Sequence, residues 1–431
     1  MIDIGIDPKI VAGAVFLLTY GMILSNKINR TIAALAGAML LFLFGILSGE
    51  QILQKINWEA IGLIFGMFVM VGALSESGFF RWIGLKTIRF VKFDVVKAFI
   101  MLSILSAFLS AFMDSITVLL FMSTLTIEAC KLMKINPVPF IISEICSANI
   151  GGSATMMGDP PNIIIGTGCE LSFLDFIANT GIVAVVVFAV NILFFYFWYR
   201  KGLKKDKVSN IHKLEGLKPE DAIKDKRLMV AGIAVFVVAV ILLVFHAALH
   251  IPFAFIGIFG ASLILLTGGK KMPEVIEKID WLTLIFFAGL FIVIGGLEET
   301  GILDIVASLL IKGGSNPLAI AMVLLWVFAF LSAFVDNVPL AATMVPVIKI
   351  LAATPGVGLG LNTMAWSLAI GTDIGGNATP IGASANVIGL AVAEKNGFPV
   401  SWKYYCKVGF ASMIISIAAA SLVIWLKYFV L

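Results

Sequence analysis

The chain alternates long apolar runs with short polar interruptions, and the runs have the length of membrane-spanning helices. A helix of about 20 apolar residues is long enough to cross a bilayer. Such runs predict spanning helices over residues 9–26, 30–48, 58–76 and 174–199 in the first half, and over 228–247, 252–268, 282–297 and 406–430 in the second. The pattern therefore predicts an all-α polytopic membrane protein.

Two further apolar segments carry a polar residue at their midpoint. The limbs 96–113 and 115–133 meet at Asp114, and a similar pair in the second half meets at Asp336. Basic residues at the return of the first pair, such as Lys131, favour a re-entrant hairpin that enters and leaves the membrane on one side. Both hairpin tips would then lie near the midplane.

Two other segments, about 138–168 and 363–395, predict helices that are broken in the middle. The first break reads NIGGSATMMGDPPNIIIG (149–166), and the second reads DIGGNATPIGASANVIGL (373–390). Backbone groups freed at membrane depth cost several kcal/mol each unless protein or a water-filled cavity satisfies them, so such breaks persist mainly where they line a site. Two breaks, one in each half, predict a binding site built from discontinuous helices.

The two halves repeat one another. A shift of 224 positions superposes the two breaks, and a shift of 223 positions superposes Trp58 on Trp281. We therefore predict a first repeat at 1–199, a basic loop at 200–227 and a second repeat at 228–431. If each hairpin returns to its own side, each half crosses the membrane five times, and an odd number of crossings makes the repeats inverted.

Charge placement agrees with this topology. If the loop 200–227 is cytoplasmic, the other basic clusters also fall inside, including the amphipathic connector Phe79 to Phe93, as the positive-inside rule expects. Single lysines on the outer side are the exceptions: Lys55, Lys312 and Lys349. We expect a multi-pass protein of the cell (inner) membrane with both termini outside.

Composition excludes several classes of protein. Hydrophobic residues make up 60% of the chain and charged residues only 13%, which leaves no room for a sizeable soluble domain. No GxxxxGK[ST] phosphate-binding loop is present, so the chain alone is not expected to use ATP. Its four cysteines are widely spaced, and its net charge of +4 sits in loops, so neither a zinc site nor nucleic-acid binding is expected.

The hairpin tips and the broken helices predict one convergent site. Half-helix N-termini present free N–H groups and C-terminal ends present carbonyls, so such a place can hold an anion and a cation together. The candidate substrate- or ion-binding residues are Asp114, Ser115, Asn149, Gly151, Gly152, Thr155, Asp159, Asn162, Asp336, Asn337, Asp373, Gly375, Gly376, Thr379 and Asn386.

The carboxylates of this site lack a basic partner in their own segments. No Lys or Arg occurs between Lys134 and Arg200, or between Lys349 and Lys395. A buried carboxylate without a partner needs a proton or a metal cation. We therefore expect Na⁺ or H⁺ as coupling ion and no other cofactor. The candidate Na⁺ ligands are Asp114, Asn149, Asp336 and Asp373.

Structural roles are open for the same residues. Asp114 and Asp336 can cap the second limb of each hairpin, and Asp159, followed by two prolines, has the pattern of a helix N-cap. The glycines serve backbone conformation and would bind through their carbonyls. The threonines and asparagines of the breaks either bind cargo or satisfy freed backbone. Glu128 and Glu144 lie on apolar helices and can carry protons or pair with each other.

Three segments carry a resemblance to a known group of transporters. The breaks, together with DNVPLAATMVP (336–346), resemble the ion transporter superfamily, in the branch of the arsenite permeases, the NhaD-type sodium/proton antiporters and the melanosomal P protein. The resemblance covers nearly the whole chain. It implies elevator-like alternating access, in which hairpins and broken helices slide against a scaffold that often dimerises.

One departure bears on the substrate. Related sodium/dicarboxylate symporters carry Ser-Asn-Thr at the hairpin tips, whereas these tips read Asp114-Ser115-Ile116-Thr117 and Asp336-Asn337-Val338-Pro339. The departure counts against dicarboxylate transport. Arsenous acid is neutral near physiological pH, so a site without Arg could accept it.

The first hypothesis is thus a secondary transporter that couples Na⁺ or H⁺ to a small ion or a metalloid oxyanion such as arsenite. The alternatives are a Na⁺/H⁺ antiporter, a sodium/dicarboxylate-type anion transporter and a passive ion channel. An intramembrane enzyme is not expected, because the Tyr-Asp and Gly-x-Gly-Asp signatures of membrane proteases are absent. The expected partners are the lipid bilayer, a small inorganic or organic ion, a second copy in a homodimer and, for a true arsenite permease, a soluble ATPase subunit; nucleic acid is not among them.

Overall fold

The structure of the protein is a computed structural model that describes residues 7–25, 27–92, 94–204, 218–269, 272–277, 279–311 and 316–430. Its described residues form helices and connecting turns without a β-strand. Seven of these helices are long and apolar enough to cross a membrane. The predicted all-α membrane fold is confirmed.

The first half contains helices at Pro8–Ser25, Arg30–Leu43, Gly49–Lys55, Trp58–Ser77, Phe79–Phe90, Val95–Ser110, Ser115–Met133, Val138–Gly152, Pro160–Gly168 and Phe173–Leu203. The second half contains helices at Lys226–Leu249, Phe253–Thr267, Met272–Glu277, Trp281–Glu299, Ile302–Ile311, Pro317–Ser332, Asn337–Ala353, Leu361–Gly375, Ser384–Lys395 and Trp402–Val430. The order and approximate length of the elements repeat between the halves, as the sequence repeat predicts.

We call Val95–Ser110 with Ser115–Met133 hairpin 1, and Pro317–Ser332 with Asn337–Ala353 hairpin 2. Broken helix 1 is Val138–Gly152 with Pro160–Gly168. Broken helix 2 is Leu361–Gly375 with Ser384–Lys395. All four stand where the polar interruptions predict them.

The predicted helix 30–48 is too long. It ends at Leu43, and Gly45 turns the chain with a φ of 72°. Ser48 then starts the short helix Gly49–Lys55 through a capping box with Gln51, which the apolar pattern does not reveal. A corresponding short helix, Met272–Glu277, stands in the second half.

Some predictions fall outside the described residues. They concern the two ends of the chain, most of the basic loop (205–217), the end of the connector at Phe93 and the outer Lys312.

Spanning helices of each half pack against spanning helices of the other half, and we call these the exchanged helices. Trp58–Ser77 packs closely against Phe253–Thr267, and a β-carbon added to Gly66 would lie 2.1 Å from the carbonyl oxygen of Gly257. In the matching arrangement, Trp281–Glu299 packs against Arg30–Leu43. Glycine at such a crossing allows the two backbones to touch, which is typical of helix packing in membranes.

The second limb of each hairpin also packs on the broken helix of the other half. Ser115–Met133 contacts Ser384–Lys395, and Asn337–Ala353 contacts Pro160–Gly168. The hairpin tips and the breaks of both halves therefore meet at one place in the interior.

Candidate functional site

Each hairpin tip is fixed by an aspartate that caps the second limb. Asp114 Oδ1 accepts a hydrogen bond from the backbone N–H of Thr117 at 2.8 Å, and Asp336 Oδ1 accepts one from Val338 at 3.2 Å. One oxygen of each carboxylate therefore acts as the predicted helix cap. The second oxygen of Asp336, Oδ2, accepts a hydrogen bond from Ser384 Oγ at 2.5 Å.

The side chains of the breaks mostly satisfy freed backbone. Asn162 Nδ2 donates to the carbonyls of Gly152 at 2.9 Å and Thr155 at 3.2 Å. Asn386 Nδ2 makes the equivalent bonds to Gly376 at 2.7 Å and Thr379 at 2.8 Å. These side-chain amides therefore bond backbone carbonyls at the point where the helical hydrogen bonds are interrupted. This agrees with the prediction that they satisfy freed backbone.

The two threonines of the breaks act in the same way. Thr155 Oγ1 donates to the carbonyl of Ala111, and Thr379 Oγ1 donates to that of Ala333. Each hydroxyl thereby ties a break to the end of the first limb of its own hairpin.

Asp159 begins the second arm of broken helix 1 without capping it. The residues that follow are Pro160 and Pro161, which have no N–H to donate, and the Asp159 side chain makes no bond to its own helix. Its carboxylate instead accepts from Ser115 Oγ at 2.9 Å and from Asn337 Nδ2 at 2.8 Å. The predicted N-cap role of this side chain is therefore wrong, and Asp159 joins the tips of both hairpins.

Asp373 lies beside this contact. Asn337 Nδ2 is 3.5 Å from Asp373 Oδ1, so the Asn337 amide stands between the carboxylates of Asp159 and Asp373. The Asp373 side chain is fully buried, and its Oδ2 has no hydrogen-bond partner within the described part of the chain. We call Asp159 and Asp373 the acidic pair.

Asn149 occupies the position that corresponds to Asp373 in the repeat, but it serves a different contact. Its Nδ2 donates to Asn377 Oδ1 at 2.8 Å and to Asn386 Oδ1 at 2.9 Å. Asn149 thereby joins broken helix 1 to broken helix 2. The sequence interpretation missed Asn377, although the change from Ser153 to asparagine at this repeat position could have indicated it.

Arg30 was also missed, and it corrects the prediction of a site without Arg. Its guanidinium donates to Ser384 Oγ and to Thr283 Oγ1, both at 3.0 Å, and lies 3.6 Å from Asp336 Oδ2. It also stands 5.0 Å from the centre of the Phe286 ring, a cation–π contact. The broken helices themselves contain no basic residue near the site, and Arg30 reaches it from the start of another helix, Arg30–Leu43.

A cavity of about 370 Å³ opens next to the acidic pair. Its polar wall includes Asp114, Ser115, Asp159, Asn337 and Arg30, and its exposed residues include Lys224 and Asp280. A neighbouring cavity of about 330 Å³ shares Arg30, Asp280 and Ser384 and is also lined by Asp336.

Several predicted site residues do not line either cavity. The glycines, threonines and asparagines of the breaks lie behind the cavity wall, as does Asp373: Asn149, Gly151, Gly152, Thr155, Asn162, Asp373, Gly375, Gly376, Thr379 and Asn386. The structure therefore separates cavity-lining residues from those that hold the broken helices in shape.

The two glutamates on apolar helices do not pair with each other. Glu128 is exposed and forms an ion pair with Arg81 at 3.1 Å. Glu144 is fully buried and contacts Thr126.

The family model described as "Citrate transporter" (CitMHS) matches residues 20–371. A protein of Mycobacterium tuberculosis named as an uncharacterized transporter is 34% identical over 429 residues, which covers 98% of this chain and 99% of that protein. The human P protein is 29% identical over 490 residues, covering 94% of this chain and 58% of the P protein. These similarities confirm the resemblance to the ion transporter superfamily and its P-protein relatives.

Two solved structures share the fold. MtrF of Neisseria gonorrhoeae, described among antimetabolite efflux pumps, aligns with a TM-score of 0.61 at 12% identity, over 99% of this chain and 96% of its own. The YdaH transporter of Alcanivorax borkumensis aligns with a TM-score of 0.60 at 14% identity, over 98% of this chain and 99% of its own. At these identities the likeness concerns the fold alone.

Proposed function

This chain belongs to the citrate transporter (CitMHS) family of membrane transporters, and from that membership we propose that it is a secondary active transporter in which Na⁺ or H⁺ drives the movement of a small ion. Its homologues include the P protein.

The acidic pair is the observation that supports coupling. Its two carboxylates share the Asn337 amide and make no hydrogen bond to a Lys or Arg among the described residues. Two buried like charges repel, so the site favours a bound proton or metal cation. Because Asp159 also accepts from Ser115, occupancy of the pair would affect the contact between both hairpin tips.

We propose elevator-like alternating access for the same reason. The hairpins and broken helices hold the acidic pair and form one packed unit, whereas Arg30 and Thr283 belong to the exchanged spanning helices. The Arg30 contacts to Ser384 and Asp336 would then have to break when that unit moves. A homodimer and a soluble ATPase subunit stay predictions.

An anion is the cargo that Arg30 favours. The guanidinium and the exposed Lys224 line the same cavity as Asp159, and a planar guanidinium suits a carboxylate. Arg30 also counts against neutral arsenous acid as the cargo, because that cargo was expected only for a site without Arg. A Na⁺/H⁺ antiporter is the alternative, since the acidic pair alone would be enough for it.

We expect purified protein in liposomes with a trapped pH dye to respond to citrate together with a cation gradient. Na⁺, Li⁺ and K⁺ are each added with and without citrate. A signal that requires citrate and weakens in Arg30→Gln, but not in the surface control Arg81→Gln, supports anion transport. A pH change driven by Na⁺ alone favours the antiporter, and the absence of any cation dependence contradicts coupling.

We propose that the loop 200–227 faces the cytoplasm of a cell membrane and that both termini lie outside. Lys55, one of the outer exceptions, supports this because it is neutralised by Glu298 at 3.1 Å and Glu299 at 3.5 Å.

A membrane-impermeant thiol reagent is expected to label Gln54→Cys in intact cells and to label Glu220→Cys only after permeabilisation. Both positions are exposed, whereas three of the native cysteines are buried and Cys406 is half-buried. The wild-type protein measures the background from Cys406. Labelling of Glu220→Cys in intact cells would overturn the orientation.

A further inference from the structure

Glu144 is a buried carboxyl that the acidic pair does not involve. It lies on the first arm of broken helix 1 and is fully buried. Its Oε1 is 2.5 Å from Thr126 Oγ1 on hairpin 1, and its Oε2 has no hydrogen-bond partner among the described residues. A buried ionisable residue inside a membrane helix is expensive, and by default it indicates a function.

Within the described part of the chain, no charged side chain is placed to neutralise Glu144. Six helices pack against its own: Val95–Ser110, Ser115–Met133, Ile182–Leu203, Leu361–Gly375, Ser384–Lys395 and Trp402–Trp425. Among their charged residues only Asp373 is also buried, and the others are exposed. The buried titratable groups that these helices and its own arm contribute are otherwise Cys130, Cys146, Tyr199 and Tyr405. Glu144 therefore lies in a neutral environment that favours a proton on its carboxyl.

The contact with Thr126 suits both forms of the carboxyl. A hydroxyl can accept a hydrogen bond from the protonated acid, and it can rotate to donate one to the carboxylate. Loss of the proton to water would therefore leave the Thr126 contact in place. The unpartnered Oε2 is the atom that can hold or release the proton without disturbing that contact.

A second buried polar side chain lies on hairpin 1 near Thr126. Ser123 lies one turn before Thr126, its Oγ is buried without a partner in the described structure, and a β-carbon added to Gly389 would lie 3.5 Å from it. One turn before Gly389 is Asn386, which bonds to Asn149 at 2.9 Å. Ser123 therefore faces broken helix 2 one turn from the asparagine that joins the two breaks.

We propose that Glu144 is a second proton-binding residue, separate from the acidic pair, which takes up a proton from water and releases it to water during the transport cycle. The assignment rests on the proposed proton or cation coupling but not on the identity of the cargo. In the proposed topology, Glu144 lies between the cytoplasmic end of hairpin 1 and the acidic pair.

Infrared difference spectroscopy on the full chain in lipid tests the assignment. Samples are perfused with buffers from neutral to alkaline pH, and we expect a carbonyl band of a protonated carboxyl, one that Asp159→Asn does not remove, to disappear reversibly as the pH rises. This band should be lost in Glu144→Gln and retained in Glu128→Gln. In Thr126→Val the band should shift, because its hydrogen-bond partner is removed.

Two results would overturn the proposal. The first is a spectrum in which Glu144→Gln leaves the band unchanged. The second is a Glu144 band that no pH alters, which would describe a permanently protonated residue with only a packing role. Asp159→Asn should retain the Glu144 band even if it stops transport. The infrared spectrum therefore tests the role of Glu144, and the transport assay separately tests the role of the acidic pair.

Discussion

Replacing Asp159 with asparagine is expected to abolish cation-coupled transport while the protein still folds. Asparagine keeps an acceptor for Ser115 and has nearly the same shape, but it cannot carry the negative charge that would bind a proton or Na⁺. The substitution also places an amide group within reach of the Asn337 amide, which now donates to Asp159 at 2.8 Å. The cation-dependent signal in the liposome assay should therefore fall to the level of empty liposomes.

Asp94→Asn is the matched control for this variant. Asp94 is an exposed N-cap that accepts from the backbone of Lys97 at 2.8 Å, and asparagine caps helices about as well as aspartate. Transport by Asp94→Asn should match the wild type. If Asp159→Asn also keeps coupled transport, the acidic pair does not hold the coupling ion.

Alanine at Gly151 or at Gly375 is expected to lower the free energy of unfolding strongly. A β-carbon at Gly151 would lie 2.1 Å from the carbonyl oxygen of Ala107, and one at Gly375 would lie 2.4 Å from that of Ala329. Both obstacles are backbone atoms, so relief requires the broken helix to move away from the first limb of its hairpin. Overpacking of this kind costs about 1–3 kcal/mol and sometimes more.

Thermal unfolding of the detergent-solubilised variants measures this effect. Gly202→Ala is the control, since no atom lies within 4 Å of a β-carbon at that position. It should unfold at the wild-type temperature or slightly above it, because alanine favours helix more than glycine does. Equal stability of all three variants would contradict the close backbone contact.

The sequence predicted the breaks, the hairpin tips and their repetition because these features depend on local residues. Gly151 and Gly152, or Asp114 before a new apolar run, interrupt a helix wherever they occur in an apolar segment. These residues interrupt a helix regardless of which other helices pack against it. The orientation of the repeats in the membrane stays a prediction.

The site was predicted less completely because it depends on contacts between distant segments. Asp159 has the local pattern of an N-cap, but its side chain makes no capping bond, and its real partners come from both hairpins. Arg30 lies 306 positions before Asp336 in the chain, and nothing near Arg30 indicates that contact.

The exchange of spanning helices between the halves has a consequence for biosynthesis. Trp58–Ser77 finds a main partner in Phe253–Thr267, which the ribosome makes only after the whole first hairpin and broken helix have entered the membrane. The protein is organised like a domain-swapped dimer fused into one polypeptide. The close contact of Gly66 with Gly257 can therefore form only once both halves have been synthesised.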